Sequence, residues 1–257
     1  MIPVILVGAA GRMGRAVRES LEGQSDLRLK ACVDGLAGGA PSDATPWGKD
    51  VGAFLARGDV VVEFSSVDGA RRSAEACADA GAALVSGTTG LAPADESVLA
   101  AAARRVAVLR AANFSLGVAA LRRALKAALA VLPAAFDVEI VERHHRTKRD
   151  APSGTALALA RDAAALRGYT DEDFTYGRHG AVGARPQRQI GLHAVRGGGL
   201  VGDHAVVLAG EGEWLELRHV AQDRRAFAQG ALWAVRFVAK APPGLYNLDE
   251  VVAAVNG

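Results

Sequence analysis

Two short stretches of this 257-residue chain hold residues whose types and spacing can do chemistry. The first is Gly8-Ala9-Ala10-Gly11-Arg12-Met13-Gly14, which follows one apolar run directly and opens an amphipathic one. Small residues let a backbone approach a phosphate closely, and the start of a helix offers unpaired N–H groups and the positive end of a dipole. The spacing departs from G-x-G-x-x-G, because Ala10 stands near the usual middle glycine. A plain tight turn would need no more than this. The dinucleotide reading gains from Asp34, which ends the next apolar run about 20 residues after Gly14, where a ribose-binding carboxylate belongs. The competing reading is a doubly wound domain that binds another nucleotide or none. Asp34 also bears on the choice of cofactor. A carboxylate accepts hydrogen bonds from both ribose hydroxyls and repels a 2′-phosphate, by roughly a few kcal/mol at an effective dielectric near 20. Gly35 follows and supplies no cation, so NADH is expected in preference to NADPH, although Arg12 can still pair with a 2′-phosphate.

The second stretch runs from Glu142 to Ala156 and reads ERHHRTKRDAPSGTA. Ser153, Gly154 and Thr155 stand where a helix should begin, and their N–H groups and hydroxyls form a pocket suited to a carboxylate. His144, His145 and Lys148 lie just upstream, on what reads as a loop. Lysine adds a fixed positive charge, and a histidine can give up a proton during turnover. Such a Ser-Gly-Thr is often only a helix cap, and basic clusters are usually solvated loops. The functional reading gains because cap, lysine and histidines crowd into one segment of a chain that also has a cofactor motif. Adjacent histidines point different ways, and no H-x-x-x-H or paired-cysteine spacing is present, so no metal is expected. Cys32 and Cys77 read as buried thiols of a reducing compartment.

The elements that must position these residues follow from periodicity. Strands are expected at Ile2–Val7, Leu27–Val33, Val60–Phe64, Ala82–Ser86 and Val106–Leu109, with helices at Met13–Leu21, near Gly69–Ala80 and at Ala94–Arg104. That alternation predicts an α/β, doubly wound, Rossmann-like parallel sheet. Gly35–Gly48, rich in glycine and proline, reads as a mobile loop. The pattern changes after Asn113. A helix over Leu116–Leu132, a strand over Phe136–Glu142 and a helix over Ser153–Leu166 precede strands at Gln189–Val195, His204–Leu208 and Glu213–His219. In the last strand, Leu215 and Leu217 share one face, and Trp214, Glu216 and Arg218 the other. This predicts a separate α+β domain with a mixed sheet. Ala226–Val238 and Leu248–Val255 return to helix, and the three tryptophans, Trp47, Trp214 and Trp233, read as packing residues.

Composition narrows the classes further. Half of the chain is apolar, 23% is charged, and the formal net charge is +2. This disfavours a disordered chain or a broad nucleic-acid surface. The apolar run after Met1 lacks a basic leader, and no stretch reaches the roughly 18–20 apolar residues that cross a bilayer. A cytoplasmic protein without nucleic-acid or membrane partners is expected.

Several motifs then occur in order: GAAGRMG, GTTG at Gly87–Gly90, AANFS at Ala111–Ser115, the Glu142–Ala156 stretch, RGGGLVGDH at Arg196–His204, and HVAQDRRAFAQG at His219–Gly230. Over essentially the whole chain this resembles the 4-hydroxy-tetrahydrodipicolinate reductase (dihydrodipicolinate reductase) family of bacterial lysine and diaminopimelate synthesis. The resemblance implies a dinucleotide-binding domain over 1–113 and 225–257, and a substrate-binding and tetramerisation domain over 114–224. It implies NAD(P)H-dependent reduction of a small cyclic dicarboxylate by a homotetramer. It implies His144 as general acid, Lys148 as the cation that helps protonate the ring, and His145, Ser153, Gly154 and Thr155 as substrate contacts. Gly8, Gly11, Arg12, Met13, Gly14 and Asp34 would hold the pyrophosphate and ribose. Gly87, Thr88 and Thr89, with Ala112, Asn113 and Phe114, would line the nicotinamide. Ala10, Gly35 and Ser66 depart from the family pattern and put dual cofactor use in question. Two alternatives stay open: an imine or aldehyde reductase of another pathway, and a non-enzymatic nucleotide-sensing or scaffold protein.

Overall fold

Strands buried on both faces read as near-continuous apolar runs, and the central N-terminal strands do. Ile2–Val7 (β1) is buried from Val4 onward, and Val60–Glu63 (β4) is buried at every position. With Leu27–Val33 (β2), Trp47–Gly48 (β3), Ala83–Ser86 (β5), Ala107–Arg110 (β6) and Gly244–Tyr246 (β12), they form one parallel sheet ordered β12-β6-β5-β4-β1-β2-β3. Helices Arg12–Leu21 (α1), Val67–Ala80 (α2), Pro93–Ala102 (α3), Arg225–Val238 (α6) and Leu248–Val255 (α7) accompany it. Strand order reverses between β1 and β4, so the loops at the carboxyl ends of these two strands part there. Such a crevice is where open α/β sheets bind ligands.

The computed structural model describes residues 1–35 and 45–255. Within the expected Gly35–Gly48 loop, residues 36–44 lie outside the described ones, and Trp47–Gly48 pairs with the end of β2 instead of continuing as coil.

The second sheet is ordered β11-β10-β7-β9-β8 and mixes parallel and antiparallel pairs. Its strands are Asp137–His144 (β7), Phe174–Tyr176 (β8), Ile190–Arg196 (β9), Gly202–Ala209 (β10) and Trp214–Ala221 (β11). Helices Leu116–Val131 (α4) and Gly154–Arg167 (α5) cover one face, where Leu125, Leu129, Leu159 and Ala163 pack on Ile140, Leu192, Val206 and Leu208. Leu217 lies opposite Val206, and Leu215 opposite Leu208, which puts both on the helix side as their alternation predicts. On the other face of β11, Trp214 is 71% exposed, so it is not a packing residue of this chain. Trp47 and Trp233 lie under Arg18 and Arg236. Cys32 and Cys77 are buried free thiols.

Contacts divide the described residues into two units, one within Met1–Leu116 and Arg224–Gly257, the other within Gly117–Asp223.

Candidate functional site

In the first unit the glycine turn is set by close approach. Gly8 has φ +82°, and a Cβ there would lie 2.2 Å from the Phe64 carbonyl oxygen. A Cβ on Gly14 would lie 2.2 Å from the Gly8 carbonyl oxygen, so only glycine lets α1 start this near β1. Gly11 is the N-cap and offers no side-chain cap, and the first turn of α1 holds no acidic residue. The positive helix pole therefore has no carboxylate of its own, and Arg12 and Met13 stand in that turn. Asp34, at the end of β2, accepts a hydrogen bond from the Ala10 amide at 2.9 Å. Arg224, not assigned to the site from sequence, is held below the usual arginine range by burial and by the nearby Arg12.

Gly87, Thr88 and Thr89 follow β5, and Ala112, Asn113 and Phe114 follow β6, all at carboxyl ends of the same sheet. Thr88 is buried. Its hydroxyl donates to the Glu63 carboxylate at 2.6 Å and accepts from the Ser65 amide at 3.1 Å. That proton is committed inside the protein, so Thr88 shapes the loop and presents its backbone. Glu63, wholly buried, also accepts from Ser65 and Ser86. Phe114 is buried edge-on against Phe64, with ring centres 5.3 Å apart. The Asn113 side chain accepts from the Ser115 amide at 2.8 Å.

The second unit gathers the other stretch at the end of β7. Along this strand, Val138, Ile140, Glu142 and His144 are the buried positions. His144 is thus the last residue of a strand, where a loop was expected, because the strand's inward alternation continues into polar residues. His144 Nδ1 lies 2.6 Å from Glu142 Oε2. Arg196 grips the same carboxylate with two N–H donors at 2.7 Å each, and the Ser153 amide donates to it at 2.9 Å. Burial alone would raise the Glu142 carboxyl, but Arg196, His144 and the Ser153 amide together hold it below the usual range.

Ser153 is the N-cap of α5. Its Oγ accepts from the Ala156 amide at 3.1 Å and lies 2.9 Å from His204 Nε2. The His204 ring stands edge-on to His144, with centres 5.1 Å apart. Burial, then the neighbouring His144, push the His204 pKa down to about 4. Gly154 and Thr155 form the first turn of α5, Gly154 exposed and Thr155 half-buried. Lys148 Nζ bonds both Asp150 carboxylate oxygens at 2.8 Å, which lowers the Asp150 pKa. His145 Nδ1 meets the Thr147 hydroxyl at 2.7 Å, on the outer side of the loop. Among the described residues, no cluster of His, Cys, Asp or Glu suits a metal ion.

Two family models match the chain. Dihydrodipicolinate reductase, N-terminus, covers residues 2–114, and its C-terminal counterpart covers 117–252. The chain belongs to the dihydrodipicolinate reductase family. The 4-hydroxy-tetrahydrodipicolinate reductase of Anaeromyxobacter sp. (strain Fw109-5) is 45% identical over 98% of both chains. That of Thermomicrobium roseum is 46% identical, over 98% of this chain and 100% of its own. A dipicolinate-bound dihydrodipicolinate reductase from Paenisporosarcina sp. TG-14 superposes with a TM-score of 0.80 at 26% identity, covering 97% of this chain and 99% of that one. The chain is therefore an oxidoreductase of the dihydrodipicolinate reductase family, and neither a nucleotide-sensing scaffold nor a reductase of another pathway is favoured.

Reading the motifs one at a time missed Glu142, Arg196 and His204 as site residues. A signal for Glu142 was present: it keeps the phase of Val138 and Ile140, which places a carboxylate on the buried face beside a histidine. The pairing of Arg196 with Glu142 spans 54 residues and has no local signature.

Proposed function

We propose that this chain reduces 4-hydroxy-tetrahydrodipicolinate to tetrahydrodipicolinate, in the diaminopimelate route of lysine synthesis, with NADH preferred over NADPH. The observation that carries this reading is the convergence of His144, Lys148 and the Ser153 cap at one end of β7 and α5. The first unit fits a dinucleotide. The first turn of α1 holds no acidic residue, Gly8 and Gly14 leave no room for a Cβ, and Asp34 ends β2 beside the glycine turn. Gly8, Gly11, Arg12, Met13 and Gly14 would hold the pyrophosphate and Asp34 a ribose. The loops at Gly87–Thr89 and Ala112–Phe114 would border the nicotinamide, which supplies hydride when bound.

The chain's own residues bind the substrate and handle its protons. Amides and hydroxyls at Ser153, Gly154 and Thr155 take a substrate carboxylate at the positive pole of α5. His145 contributes a further contact. Lys148 has three N–H donors, of which Asp150 occupies two, and it turns the third toward the ring nitrogen, where negative charge develops. His144 delivers the proton that completes the reduction. The two units then serve as cofactor domain (1–113 and 225–257) and substrate domain (114–224). The helix-free face of the second sheet, with Val195, Trp214 and Val220 exposed, suits a homotetramer. Among the described residues no helix is long and apolar enough to cross a membrane, which is compatible with the cytoplasm.

The test couples the product of dihydrodipicolinate synthase to nucleotide oxidation. Absorbance should fall with NADH, and with a lower kcat/KM for NADPH. No oxidation of either nucleotide overturns the function, and a strong NADPH preference overturns the role given to Asp34.

A further inference from the structure

We propose that Glu142 is the positioning residue of this site: it holds a proton on His144 Nδ1 in both charge states of the ring, so that the proton His144 takes up and delivers is the one on Nε2, and it ties that ring to the cap of α5. The inference rests on the functional reading of His144 given above. An ionised carboxylate can only accept, while a guanidinium and a backbone amide can only donate. Glu142 faces two Arg196 N–H groups and the Ser153 N–H, so three of its four partners require it to be an acceptor. The fourth, His144 Nδ1 at 2.6 Å, must then carry a proton. The carboxylate is wholly buried, so water does not compete for it.

The two oxygens divide the work. Oε2 takes His144 Nδ1 and one Arg196 nitrogen, at 2.6 and 2.7 Å. Oε1 takes the Ser153 amide and the other Arg196 nitrogen, at 2.9 and 2.7 Å. One rigid, planar group thus sets the spacing between the proton donor and the anion cradle. Arg196 extends the frame by donating to the Asp150 carbonyl at 2.7 Å, next to the carboxylate that holds Lys148. The far side of the imidazole is kept clear. A Cβ on Gly202 would lie 3.1 Å from His144 Nε2, and His204 spends its own Nε2 on Ser153.

Glutamine at 142 cannot reproduce this pattern. With its oxygen toward Ser153, its NH2 faces His144 Nδ1 and an Arg196 donor. With its oxygen toward His144, its NH2 faces the Ser153 amide and the other Arg196 donor. The first orientation is relieved when the His144 proton moves from Nδ1 to Nε2, whereas the second sets the NH2 against two obligate donors, so the first prevails.

The experiment is a long-range proton–nitrogen correlation spectrum of the full chain labelled with 15N-histidine. It is recorded at a pH high enough that the His144 signal no longer changes, and His144→Ala assigns that signal. The wild-type ring should show a protonated Nδ1 and a bare Nε2. A bare Nδ1 overturns the proposal, whatever any variant does. In Glu142→Gln the pattern should reverse, kcat should fall on the order of 10²-fold or more, and the Kd for NADH should stay within about twofold. Gly202→Ala provides a test that leaves Glu142 in place. It should keep the protonated Nδ1 yet lower kcat at least tenfold, and full kcat in that variant overturns the role of Nε2. Failure of wild-type turnover would instead sink the assigned reaction and leave the spectrum to judge Glu142.

Discussion

Replacing Ser153 with alanine removes one hydroxyl that serves two buried partners. The hydroxyl caps α5 through the Ala156 amide at 3.1 Å and meets His204 Nε2 at 2.9 Å. Ser153 is 3% exposed and His204 4%, so water cannot substitute readily. Loss of an N-cap serine costs about 1 kcal/mol. Among the described residues His204 Nδ1 has no partner, so the variant leaves this ring with neither nitrogen bonded to them. An unsatisfied buried group costs about 1–3 kcal/mol. The total is about 2–4 kcal/mol, and at roughly 2–4 °C per kcal/mol this lowers Tm by about 5–15 °C. Scanning calorimetry of the full chain measures the shift. Ser153→Gly separates the two contributions, since glycine is nearly as good a cap. It should recover up to about 1 kcal/mol and leave the His204 cost in place. A Tm for Ser153→Ala within about 2 °C of wild type would refute the assignment of both bonds.

The remaining predictions concern the cation, the buried histidine and the glycine turn. Lys148→Ala should lower kcat by about 10²–10⁴-fold with the NADH Kd unchanged, whereas Thr155→Ala should mainly raise KM. Steady-state kinetics with a fluorescence titration of NADH separates the two patterns. His204 has a pKa of about 4 when folded, against about 6.5 for an ordinary histidine. As pH falls the unfolded chain takes up this proton first, so stability is full above about pH 6.5 and drops by about 3 kcal/mol toward pH 4. Urea unfolding between pH 7 and 4.5 should show this slope and a flatter one in His204→Gln; identical slopes would remove His204 as the cause. Gly14→Ala pushes a Cβ to 2.2 Å from the Gly8 carbonyl and should weaken NADH binding at least tenfold, as read by calorimetric titration.

What was legible in the sequence depended on length and burial. Ile2–Val7 is a nearly continuous apolar run and Leu27–Val33 one broken only by Arg28 and Lys30 near its start; both are closed by turn residues and have the bounds their pattern predicts. Trp47–Gly48, Phe174–Tyr176 and Gly244–Tyr246 span two or three residues at sheet edges, too few for any period to register. The end of β7 was misjudged for another reason. Hydropathy stops at Val141, but the strand continues because Glu142 and His144 satisfy each other inside. A polar pair that buries itself reads as a loop when each residue is weighed alone. Trp214 failed in the opposite sense: its size suggested a core, and only the pairing of β10 with β11 reveals that its face carries no helix.

The first unit is made from two separated lengths of chain, and this has a consequence for synthesis. Helix α6 packs on α1, β4, β5 and β6, and β12 completes the sheet beside β6. Ala231, Leu232 and Val235 fill that contact and are wholly buried. A ribosome delivers them only after every strand of the inserted unit has left the tunnel. The later-starting sheet therefore has all its partners first, while the earlier one waits with an oily flank bare. Such a flank is a chaperone target. A transcript cut short before Arg225 should yield a product marked for proteolysis, and not a working half.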